Sequence, residues 1–94
     1  MDKGVVCILT ELAIAKMNFR SYIRYGANVS QNTESYYIGL VSGFLRSADA
    51  MGAGKVANKV LDTIRDLPDE DIGENTFFRR REAKELVLDI TKEV

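Results

Sequence analysis

The sequence predicts an all-α protein, a small antiparallel bundle of about four helices, and three observations carry that expectation. Apolar residues recur at intervals of three and four through most of the chain. No stretch alternates apolar and polar side chains in the manner of a half-buried strand. The turn-forming residues sit at joints between periodic segments: Tyr25-Gly26, Gly52-Ala53-Gly54, and the stretch holding Pro68 and Gly73. With 94 residues, 46% of them hydrophobic, the chain is read as one domain, 1–94, with a single core and no internal linker.

The first helix is expected over 3–25. Val5, Ile8, Leu9, Leu12, Phe19 and Ile23 fall at helical spacing, and neither proline nor a turn cluster interrupts them. In its first half Val6, Ala13, Ile14 and Ala15 fill the remaining directions, so that half is apolar almost all the way round. Such a helix must be surrounded. A chain this short has few helices with which to do it, and a subunit interface is the economical expectation. The apolar start is too short to span a bilayer, contains Glu11, and lacks the small-residue cleavage site of a signal peptide. A cytoplasmic protein is expected. Cys7 has no partner cysteine, which excludes an intrachain disulfide, and its apolar surroundings predict a small buried hydrophobe.

The central helix is expected over 33–51, capped by Asn32 or Thr33, with Glu34 favourably placed in its first turn. Tyr37, Leu40, Val41, Phe44, Leu45, Ala48 and Met51 form one broad apolar arc, and Gly39, Gly43, Ser47 and Ala50 form an adjacent arc of small side chains. Each interior glycine costs about 1 kcal/mol of helix propensity relative to alanine. The pair, with Ser47, therefore marks a close helix packing or an oligomer interface. Oligomerisation is expected through the first and central helices.

A third helix is expected over 55–67, with Val56, Val60, Leu61, Ile64 and Leu67 on one face and Pro68 as its terminator. The acidic run DLPDEDIGEN at 66–75 reads as a connection. The last helix, 76–93, aligns Ala83, Leu86, Val87 and Ile90 on one stripe and docks by that face.

Composition removes several kinds of chemistry. The chain has no histidine and one cysteine, so histidine-based acid–base pairs, nucleophile–histidine arrangements and thiolate or imidazole metal sites are out. A net charge of −1 argues against a surface built throughout for nucleic acid. Glu11 is the one acid in strongly apolar surroundings, and it has no identifiable partner in the sequence. Gly52-Ala53-Gly54-Lys55 resembles the end of a phosphate-binding loop, but Asp49 and Val56 stand where that loop needs a glycine and a hydroxyl. A milder reading leaves an anion at the start of the third helix.

The most informative cluster surrounds the first helix–helix corner. Lys16, Arg20 and Arg24 recur every four residues on one side of the first helix, and like charges so spaced repel. All four tyrosines, Tyr22, Tyr25, Tyr36 and Tyr37, lie in the same neighbourhood. Guanidinium groups beside phenol rings suit the anchoring of a protein, or the holding of a phosphate with a stacked base. The plainer reading is neutralisation by Asp62, Asp66 and the acidic run. Arg79-Arg80-Arg81 point in three directions on a helix and read as solvated, with Arg81 reaching Glu85.

These residues predict a small non-enzymatic protein that homo-oligomerises and binds another protein as an adaptor, inhibitor or regulator. The alternative is a binder of a nucleotide or nucleic acid through the lysine, arginine and tyrosine corner. No cofactor, metal or membrane is called for.

Overall fold

Helix-forming periodicity becomes four helices in the computed structural model, which describes residues 2–25, 30–68 and 79–93 and, for Arg24, Tyr25, Arg79 and Glu93, the backbone alone. They are α1 (Lys3–Tyr25), α2 (Gln31–Ala50), α3 (Gly54–Asp66) and α4 (Arg79–Glu93), with no strand among the described residues. No described helix is long and apolar enough to cross a membrane. The Gly26 cap expected after α1, and positions 76–78 of the last helix, lie outside the described residues.

Helix α1 starts from Asp2, whose carboxylate accepts the Gly4 N–H at 2.7 Å and whose carbonyl accepts the Val6 N–H. Most of its apolar half is covered, one side excepted, where Cys7 is exposed. Leu9, Leu12 and Ala13 are fully buried, with Val5, Ala15 and Met17 close behind. The enclosing neighbours are α2, α3 and α4 of the same chain, all of which pack on α1. The need for a second subunit to cover this helix therefore falls away. Thr10, the one buried polar residue of the described chain, is satisfied because its hydroxyl donates to the Val6 carbonyl at 2.7 Å.

Helix α2 runs antiparallel to α1. Tyr22 near the end of α1 meets Tyr37 near the start of α2, and Gly4 at the start of α1 lies against Met51 just past the end of α2. Its cap is Ser30, earlier than the expected Asn32 or Thr33, with the Ser30 carbonyl accepting the Thr33 N–H at 3.0 Å. At the far end, the Ala53 N–H donates to Ala48 and the Gly52 N–H to Asp49, and Gly52 takes φ +78°. This Schellman turn brings Ala48 and Ala53 into the core together and reverses the chain into α3.

Helix α3 buries Val56, Ala57, Val60 and Ile64. It stops where Leu67 turns to ψ 140°, the extended conformation that a following proline imposes. Helix α4 buries Ala83, Val87 and Ile90 and leaves Leu88 facing out. One apolar cluster joins all four helices. Helix α1 is thus the central element, while α2 lies at the side and has Ala48 as its fully buried residue.

Candidate functional site

The corner expected to bind a partner is largely occupied with its own chain. Arg20 reaches from α1 to the end of α3, where Nη1 donates to the Ile64 carbonyl and Nη2 to the Leu67 carbonyl. Those carbonyls lie at the C-terminal end of α3, where the helix supplies few backbone donors, although Ile64 also accepts the Leu67 N–H at 3.3 Å. A planar, permanently charged donor also suits the negative end of the helix dipole. The Lys16 ammonium lies 5.5 Å from the centroid of the Phe19 ring. Tyr22 donates to the Ser30 carbonyl at 3.2 Å and packs on Tyr37, which in turn takes Tyr36 edge-on, both pairs with centroids 5.7 Å apart. Tyr36 alone of these rings projects well into solvent, at 63% exposure. The side chains of Arg24 and Tyr25 lie outside the described residues.

Asp62 and Asp66, offered above as neutralising partners, pair with Arg65 at 3.4 and 3.2 Å. The Asp66 hydrogen bond, then the charges of Asp66 and Asp62, raise the Arg65 guanidinium's hold on its proton. The rest of the acidic run lies outside the described residues. At the start of α3, the Asp49 carboxylate lies against Gly54, so the position suited to an external anion carries a negative charge of the chain itself.

The small-residue arc of α2 turns outward. A Cβ at Gly39 or Gly43 would meet nothing within 4 Å, so among the described residues no other element makes a close crossing there. Neither glycine takes a positive φ. Ser35, Gly39, Gly43, Arg46 and Ala50 share this exposed face, and Ser47 at its edge donates to the Gly43 carbonyl at 3.0 Å. Exposed Tyr36 and Ile38 stand beside it in the second turn of α2.

A groove of about 640 Å³ between α1 and α4 escaped the sequence reading. Positions 3, 6, 7, 10 and 11 of α1 form one side and positions 80, 84 and 88 of α4 the other. Glu11 and Arg80 bridge it at 2.7 Å. Glu11 therefore has a partner, supplied by an arginine that had read as merely solvated. Cys7 is exposed in this groove, against the expectation of burial, because α4 leaves that side of α1 open. The only signal in the sequence was the polar content of the α1 stripe at this spacing, Lys3, Thr10 and Glu11, within a segment otherwise apolar all round. Arg81 does reach Glu85, at 3.5 Å. Among the described residues no group of three or more carboxylate or thiol side chains could hold a metal.

With this geometry in hand, no protein-family model matches the chain, nor does any curated protein or solved structure.

Proposed function

We propose that the protein self-associates through the outward face of α2 and that it works by binding, presenting its remaining surface to another protein. One observation carries this reading. Gly39 and Gly43 sit in the middle of a 20-residue helix, exposed, without positive φ and without a neighbour that needs the missing Cβ. Each weakens the helix by about 1 kcal/mol, and nothing among the described residues of the subunit offsets that loss. A second backbone resting on this face would. Ile38 and Tyr36 supply apolar area beside it, with Tyr36 presenting a rigid ring and a polar tip of the kind that anchors interfaces.

The nucleotide or nucleic-acid reading has less support. Its phosphate-binding groups were Lys16, Arg20 and Arg24; Arg20 holds α3, Lys16 leans on Phe19, and two of the tyrosines are packed on each other.

Sedimentation equilibrium of the wild type and of Gly43→Leu tests the proposal. The wild type is expected to form a reversible oligomer, and Gly43→Leu to be monomeric with its helical content and melting temperature retained. A wild type that stays monomeric at every accessible concentration, or a leucine variant that associates as tightly, removes the reading.

A further inference from the structure

The α1–α4 groove lies on a different side of the molecule from the α2 face, since α2 and α4 both pack on α1 but scarcely on each other. From the Glu11–Arg80 pair the two lining stripes run eight residues along each helix, to Lys3 on α1 and Leu88 on α4. That is a trough about 12 Å long at the rise of an α-helix. Its volume, about 640 Å³, falls within the roughly 300–1,000 Å³ range typical of small-molecule sites.

The charges along it do not cancel. Glu11 and Arg80 neutralise each other at one end. Lys3 and Lys84 make no ion pair among the described residues, and both point their stretch of the groove toward negative charge. The Thr10 hydroxyl is committed to the Val6 carbonyl and adds no polar group. The same lining holds Val6, Cys7 and Leu88, the last left 38% exposed on a helix that buries Ala83, Val87 and Ile90. An occupant that matches must be apolar along its body and anionic at its head.

We propose that the groove binds an amphipathic organic anion, its carboxylate, sulfonate or phosphate head taken by Lys3 and Lys84 and its apolar body lying on Val6 and Leu88. Two ammonium groups beside an apolar strip reject a neutral hydrocarbon less than they reward an anionic one, because the anion alone gains the charge-assisted hydrogen bonds.

The fluorescent probe 1-anilinonaphthalene-8-sulfonate has this chemistry, and Cys7 reports on occupancy of the groove. Titration of the folded full chain with the probe is paired with alkylation of Cys7 by neutral iodoacetamide, followed by mass spectrometry. The wild type is expected to bind the probe, and saturating probe to slow alkylation severalfold. Lys3→Glu with Lys84→Glu is expected to weaken binding by about tenfold or more and to abolish protection. Lys55→Glu with Lys92→Glu makes the same change in net charge outside the groove and is expected to stay within about twofold of wild type. Neutral N-phenyl-1-naphthylamine is expected to bind at least about tenfold more weakly than the sulfonate. The proposal is overturned by an absence of probe binding, by equal weakening in the two double variants, by equal affinity for the neutral dye, or by unchanged Cys7 alkylation. Displacement of the probe by an acidic hexapeptide more readily than by decanoate would assign the groove to a protein segment and overturn it as well. None of these results depends on whether α2 self-associates.

Discussion

The Arg20 guanidinium on α1 donates to the Ile64 carbonyl in the last turn of α3, and the same group takes the Leu67 carbonyl beside it. A residue that looked in the sequence like a ligand contact is thus a cap for a helix distant in the chain. Hydrogen bonds to a charged donor contribute about 1.5–3 kcal/mol, and of the two carbonyls Ile64 keeps the Leu67 N–H when Arg20 is removed. Arg20→Ala is expected to lower the unfolding free energy by roughly that amount in urea titrations. Arg20→Lys should recover part of it, since one ammonium cannot reproduce the two-pronged geometry. A midpoint unchanged in both variants would return Arg20 to the solvent-facing role.

Gly39→Ala addresses the α2 face from the side of the isolated subunit. The added methyl meets open space, and alanine is the better helix former by about 1 kcal/mol. In a variant first made monomeric, the substitution is expected to raise the melting temperature measured by circular dichroism. In the wild-type background it is expected to weaken self-association at the same time. Stabilisation without any loss of association would mean that no backbone lies close to Gly39 in the oligomer.

How much of this was legible follows from what each feature depends on. Helix type was readable because it depends on local period: Val56, Val60 and Ile64, or Ala83, Val87 and Ile90, announce a buried face by spacing alone. The central place of α1 was readable too, from its broad apolar surface, but neither the helices that pack on it nor the side left open at Cys7 was, because periodicity carries no information on partners. The cap of α2 was misplaced because Ser30, Asn32 and Thr33 are all competent and only the entry path of the chain chooses among them. The contact of Arg20 with α3 could not be read because its partners there are backbone carbonyls, which have no residue type to recognise. The α1–α4 groove depends on Cys7 and Glu11 meeting Arg80 from a distant part of the chain, and beyond the polar stripe of Lys3, Thr10 and Glu11 a single sequence does not say which helix faces them.

One neighbour, the Asp49 side chain, would have to move for a side chain to fit at Gly54. A Cβ there would overlap the Asp49 carboxylate oxygen and stand 3.2 Å from its Cγ. Gly54→Ala is expected to destabilise by displacing that carboxylate from the start of α3, whereas in an Asp49→Ala background the same change should be close to neutral. A double-mutant cycle by chemical denaturation should return a coupling in the range of about 0.5–3 kcal/mol for contacting residues. Additive effects would show that Asp49 is free to swing aside.

Two leucines on facing helices separate packing from surface in the same experiment. Leu9 is fully buried in the centre of α1 and belongs to the cluster that joins all four helices. Leu9→Ala removes methyl groups from a site enclosed on every side and is expected to cost about 2–5 kcal/mol. For a domain of this size that is a large share of a total stability of about 5–15 kcal/mol, so the variant should show a sharply lower denaturation midpoint or fail to fold. Leu88→Ala, on the open side of α4, is expected to stay within about 0.5 kcal/mol of wild type. If Leu88→Ala instead destabilised the isolated chain as Leu9→Ala does, Leu88 would have to be covered within the subunit, and the α1–α4 groove could not be open to a ligand. A small effect on folding, together with weaker binding of the anionic probe, is the combination that places Leu88 on the surface where it can meet one.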